Sequence, residues 1–191
     1  IIGCCWIKFD KAIDNNIGGV GPYHSIMKNL SPKEWLLARF MMAQHACLIP
    51  RKMVEISGGW DEEMTCNQDG EFFFRVIAQA KEILFEKDAI VYYRAPLKHT
   101  GVSIKNTYDK YQSLFKAAIT YKKVLKQLAN DTIDVKVAIG NYFRELAYNY
   151  YPLHPKLYEL CMEQEEYKYG DLKPKLTGLT KKVAFISGWK I

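Results

Sequence analysis

Between residues 46 and 94 the chain gathers side chains that can do chemistry. Trp60-Asp61-Glu62 follows a Gly58-Gly59 pair, and Gln68-Asp69-Gly70-Glu71 comes shortly after. Val91-Tyr92-Tyr93-Arg94 closes the stretch, with Lys98 and His99 just beyond. Carboxylates such as these can take a proton from an attacking hydroxyl. An aromatic face such as that of Trp60 suits stacking, and cations such as Arg94, Lys98 and His99 suit a diphosphate.

Each residue also has a plainer use. An acidic residue opening a helix, as Asp69 does, accepts free N–H groups of the first turn and complements the helix dipole. The two roles can coexist, but the helix N-terminus lowers a carboxylate's proton affinity, so a base at Asp69 requires partial burial. For Glu71 two readings stay open, hydrogen bonding to substrate hydroxyls or complementing the dipole. Arg75 lies about one and two-thirds turns beyond Asp69, and the expectation is a pairing with a nearby carboxylate rather than contact with substrate. Trp60 is either a stacking platform or a partly buried structural residue. Asp61 and Glu62 either orient their turn or contact substrate. A lone His99 without neighbouring carboxylates reads as a loop histidine, exposed or touching phosphate, rather than as a metal ligand.

The elements that must position these groups can be read from local patterns. Residues 1–9, rich in Ile, Cys, Trp and Phe, read as a strand covered on both faces. Ser31-Pro32-Lys33-Glu34 has the form of a capping box with proline at the first helical position, predicting a helix to about Phe40. A short strand is expected over 45–49, ended by Pro50, then a helical turn or two from Arg51 broken by Gly58-Gly59. Phe72, Phe73, Val76, Ile77 and Ala80 recur at helical spacing and predict a helix starting near Asp69. Two strands are expected next, over 82–85 and 89–93. Beyond Lys105 two long apolar stripes, the first including Tyr121 and Leu125 and the second Ala138 and Leu146, predict an antiparallel helix pair joined at Asn130-Asp131. A third helical stretch is expected over 156–167 and a last amphipathic segment over 179–189. The polar segment 14–22 reads as a loop. Its glycines lack the spacing and the strand-to-helix context of a phosphate-binding loop.

Taken in order, Leu48-Ile49-Pro50-Arg51, Gly58-Gly59-Trp60-Asp61-Glu62, Asn67-Gln68-Asp69-Gly70-Glu71 with Arg75, and Val91-Tyr92-Tyr93-Arg94 resemble the C-terminal half of family 2 glycosyltransferases of the GT-A fold. The resemblance covers roughly residues 40–105. It implies an inverting transfer of a sugar from a nucleotide-sugar donor to a glycan, lipid-linked or other hydroxyl acceptor. Asp69 would be the general base and Trp60, Asp61, Glu62, Gln68 and Glu71 the acceptor side, while Arg94 and His99 would sit near the diphosphate. In the family the catalytic aspartate follows a glutamate; here Gln68 stands in that place and supplies no charge. A divalent metal, Mg or Mn, is also implied, but the Asp-x-Asp motif that would hold it occurs nowhere in the 191 residues. Its ligands are therefore expected outside this chain, upstream of an Ile1 that reads as a strand already under way. The expected fold is α/β, a partial GT-A-like mixed sheet with flanking helices over 1–104, followed by a helical region over 105–191. A fragment of this kind is expected to be inactive alone.

Composition sets outer limits. With 49% hydrophobic and 25% charged residues, the chain can bury one substantial core and is not expected to be disordered. A net charge of +6 favours anionic neighbours without selecting one. Five cysteines without Cys-x-x-Cys spacing indicate neither a disulfide framework nor a zinc site. No apolar run approaches the roughly 20 residues that span a bilayer. A cytoplasmic location is the resulting expectation, with peripheral contact at the inner face of a membrane as a further option and no nucleic acid as partner. The competing reading is a non-catalytic module whose basic, Tyr-rich helical region docks an anionic membrane surface, nucleic acid or a partner subunit.

Overall fold

The computed structural model describes residues 1–9, 28–40, 43–94 and 107–172. Strand β1 (Ile2–Phe9) is the middle of a three-stranded sheet of order β2-β1-β3. Strand β2 (Cys47–Leu48) pairs with it antiparallel and β3 (Leu84–Arg94) parallel. Successive side chains on a strand face opposite sides, and both Cys4 and Cys5 are buried, so the sheet is covered on both faces at that point. With six helices among the described residues, the chain is a mixed α/β protein.

Where the sequence predicts two strands, over 82–85 and 89–93, the structure has one. Pairing with β1 runs from Ile2–Leu84 to Cys4–Glu86 and resumes at Cys5–Ile90, leaving Lys87, Asp88 and Ala89 as a bulge. The consecutive charged residues Glu86-Lys87-Asp88 look like a turn in the sequence. On this strand they stay exposed, and the Asp88 N–H donates to Glu86 Oε1 at 3.0 Å.

The helices follow their local signals more closely. Helix α1 (Pro32–Leu37) carries the complete capping box: the Glu34 N–H donates to Ser31 Oγ at 3.2 Å, and the Ser31 N–H donates to Glu34 Oε2 at 2.8 Å. It ends before the expected Phe40 because Arg39 turns left-handed, at φ 57°. A 3-10 turn (Gln44–Ala46) occupies the start of the predicted strand over 45–49 and leaves two residues to β2. Helix α2 (Arg51–Ser57) stops at Gly58, whose φ of 84° costs a glycine little. Helix α3 (Gln68–Ala78) buries three consecutive phenylalanines, Phe72, Phe73 and Phe74, because neighbours cover it on more than one side.

Helices α4 (Tyr108–Ala129) and α5 (Ile133–Tyr150) form the expected antiparallel pair. The Tyr150 hydroxyl at the end of α5 reaches back to the Tyr111 carbonyl near the start of α4, at 2.7 Å. The stretch predicted as one helix over 156–167 divides into α6 (Pro155–Met162) and a 3-10 turn (Glu165–Tyr169). Glu166 in that turn is buried against Lys122 and Lys126, at 2.7 and 2.5 Å. Burial opposes its ionisation, but the two lysines outweigh that and hold its carboxyl below the ordinary range.

One buried apolar cluster runs from Cys4 to Cys161, and α4 contributes Ala117, Ala118, Tyr121 and Leu125 to the same core as Phe72 and Phe74 of α3. The boundary expected at 104/105, the loop expected over 14–22 and the segment expected over 179–189 lie outside the described residues. Among the described residues no helix is long and apolar enough to cross a membrane.

Candidate active site

The start of α3 spends its polar side chains on distant partners. Asn67, at the cap position, is left-handed with φ 57°, and its side chain makes no cap bond. Its amide instead donates to the Tyr121 hydroxyl of α4 at 2.8 Å. Gln68 is the first helical residue and is exposed; Asp69 is the second and is half-buried. One Asp69 oxygen accepts the Gly70 N–H at 2.9 Å, and the other accepts from the Gln44 side chain at 3.0 Å. Asp69 thus satisfies one free N–H of the first turn without being the cap residue. Each carboxylate oxygen retains a further lone pair. Position 70 has room only for glycine, since a Cβ there would stand 2.3 Å from Asn67 Oδ1 and 2.9 Å from the Tyr121 hydroxyl.

Gln44 brings Asp69 to the sheet. His45, its neighbour in the 3-10 turn, stacks on Tyr93 with ring centroids 5.1 Å apart and planes 7° from parallel. Tyr93 in turn meets Trp6 edge-on at 5.7 Å. The parallel strands β1 and β3 end side by side here, with Phe9 opposite Arg94, and the Arg94 guanidinium lies 5.4 Å over the Phe9 ring. Ligands of α/β sheets bind beyond the carboxyl ends of parallel strands. His99 lies outside the described residues.

Beside Asp69 opens a cavity of about 410 Å³ between α1, α3, α4 and α5. Trp35, Phe73, Phe74 and Ala118 give it apolar walls, and Asn67, Asp69 and Tyr121 give it a polar corner. The Tyr142 ring lies 4.8 Å from that of Tyr121. The Arg39 guanidinium lies 4.2 Å over Tyr142 and is bonded to Glu145. Burial pushes the Tyr142 phenol up to about 12 and raises that of Tyr121 as well. Both therefore remain neutral hydroxyls at physiological pH.

Of the residues expected from the sequence, Asp69 lines this cavity; Trp60, Asp61, Glu62, Gln68, Glu71 and Arg94 do not. Trp60 lays its ring on Phe72 at 4.3 Å and stays 44% exposed. Asp61 pairs with Lys116 of α4 at 2.7 Å, and that hydrogen bond holds its carboxyl below the usual carboxylate range. Glu62 is exposed in the same turn. Glu71 is buried and takes both of its hydrogen bonds from Arg75, each at 2.8 Å. Arg75 also donates to the carbonyls of Ser57 and Gly59, the latter at 2.7 Å, so this ion pair pins the Gly58-Gly59 turn.

The sequence reading did not single out Gln44, Arg39 or Tyr121 for the site. Nothing local marks Gln44 or Arg39, and Tyr121 falls on an apolar stripe that reads as core. Among the described residues no three His, Cys, Asp or Glu side chains converge to hold a metal ion. No family model, curated protein or solved structure matches the chain.

Proposed function

We propose that this chain carries the acceptor side of an inverting, family 2-like glycosyltransferase of GT-A type, with Asp69 as general base. The observation behind this reading is the placement of Asp69. A half-buried carboxylate opens a helix, lines a cavity, and is bonded to Gln44, whose neighbour His45 stacks on Tyr93 near the end of β3. In the proposed step an acceptor hydroxyl oxygen attacks the anomeric carbon of the nucleotide sugar and forms the new C–O bond. The bond from that carbon to the diphosphate oxygen breaks, its electron pair leaves with the nucleotide diphosphate, and the hydroxyl proton passes to an Asp69 oxygen. Asp69 then returns the proton to solvent. Gln44 orients the carboxylate, and Arg94 at the end of β3 would meet the diphosphate. The donor half and any divalent cation would come from residues other than those described, and the setting would be the cytoplasm or its membrane face.

In the intact protein, Asp69→Asn is expected to lower transfer by about 10²–10⁴-fold while nucleotide-sugar affinity and melting temperature stay near the parent values. Turnover close to that of the parent, measured by release of nucleoside diphosphate, would remove Asp69 from the role of base.

A second reading has one observation in its favour. Around the link from α5 to α6, Tyr151 is 47%, Leu153 74% and Met162 46% exposed, beside an exposed Lys156. Such a mixture suits peripheral docking on an anionic membrane. Salt-sensitive binding to anionic vesicles that disappears in Leu153→Asp supports this reading; vesicle binding that Leu153→Asp leaves intact counts against it.

A further inference from the structure

The cavity beside Asp69 is built mostly by helices from the two regions that the sequence reading separates, and its chemistry is unlike that of a diphosphate site. We propose that it is a ring-sized acceptor subsite, selective for a hydroxylated pyranose that carries an apolar face or aglycone, and that Tyr121 of α4 is its positioning residue. The inference rests on the reading of Asp69 as the base, and it deepens that reading by naming what the base acts on.

Size comes first. Ligand cavities usually run from about 300 to 1,000 Å³, so about 410 Å³ admits one or two rings rather than an extended glycan. Its lining comes second. Trp35, Phe73, Phe74 and Ala118 pack behind its walls, while Phe40 and Leu114, half-buried in the same lining, offer apolar surface that suits the C–H face of a pyranose or an aryl aglycone. The cation in the wall, Arg39, is already bonded to Glu145 and stacked on Tyr142, so a diphosphate would have to break that pair to enter.

The polar corner is the third point. Tyr121 is only 8% exposed and accepts from Asn67, yet among the described residues nothing accepts its own hydroxyl proton. A buried donor of this kind is costly unless something takes its proton. It stands against Gly70, next in sequence to Asp69, at a place where a Cβ would not fit. A hydroxyl on a ring seated against the apolar walls can accept from Tyr121 while its neighbour presents its proton to Asp69. Helix α4 thereby supplies acceptor recognition to a catalytic group on α3.

The test measures binding apart from turnover. Phenyl β-D-glucopyranoside is titrated into the intact protein by ligand-observed NMR, with free glucose as the comparison. The variants are Tyr121→Phe, which keeps the ring and removes the hydroxyl, and Ala118→Phe, which fills the cavity. Saturable binding of the phenyl glucoside, tighter than glucose by about tenfold or more, is expected, and Tyr121→Phe should weaken it by about fivefold. Ala118→Phe should abolish it; if that variant does not fold, Tyr121→Phe decides. Absence of saturable binding up to about 10 mM, or unchanged affinity in Tyr121→Phe, overturns the subsite. Phenyl glucoside binding that responds to Tyr121→Phe, together with normal turnover in Asp69→Asn, keeps the subsite and discards the base.

Discussion

Helices α1 and α3 begin in opposite ways. At α1 the cap closes on itself: Ser31 and Glu34 satisfy each other's backbone N–H groups within four residues of chain. At α3 the cap residue Asn67 is left-handed and gives its amide to Tyr121, 54 positions away, while Asp69 gives an oxygen to Gln44, 25 positions away. A start of the first kind secures a helix. The second gives up local capping to hold a carboxylate at the edge of a cavity.

The contrast can be broken at three points. The largest effect is expected from Arg75→Met, which strips the cation from the buried Glu71 and releases the Ser57 and Gly59 carbonyls. A loss of about 3 kcal/mol in urea unfolding is expected. A loss under about 1 kcal/mol would mean that α3 is not anchored through this pair. Next, Asn67→Ala should cost about 2 kcal/mol, from left-handed strain and the lost bond to Tyr121. Asn67→Gly should cost less, since glycine relieves the strain and loses only the bond. Equal losses in the two variants would show that backbone conformation plays no part.

The smallest effect is at α1. Ser31→Ala should cost about 1 kcal/mol and should also flatten the acid limb of stability. Hydrogen bonds from Ser31 hold the Glu34 carboxyl below its ordinary value, so the unfolded chain binds the proton more readily. The contribution is therefore complete above the unfolded glutamate pKa of about 4.3 and is lost as pH falls through the lower folded value. Denaturation midpoints of parent and Ser31→Ala should draw closer below that range, leaving the difference due to the Glu34 N–H bond to Ser31 Oγ, which does not titrate. Parallel profiles from pH 3 to 6 would sink this account of the cap.

Much of the fold was legible because its signals are short-range. The capping box, the stop at Gly58, the helical stripes and the break at Asn130-Asp131 each lie within a few residues of the effect they cause. Strand β3 was misread because a bulge of charged residues resembles a turn until a partner strand fixes the register. Of the carboxylates singled out in the sequence, Asp69 lines the cavity. Glu71 and Asp61 share its residue type and its stretch of sequence, yet their partners are Arg75 and Lys116, which only packing could assign.

The sequence by itself determined where most helices start and stop and which faces they bury, since those follow from hydrogen bonds and side-chain periodicity along one chain. Tertiary structure alone decided that Gln44, Asp69 and Tyr121 meet, and that Arg39 closes on Glu145 across 106 positions. Such contacts depend on how α1, α3, α4 and α5 pack around one core, and no local pattern encodes that geometry.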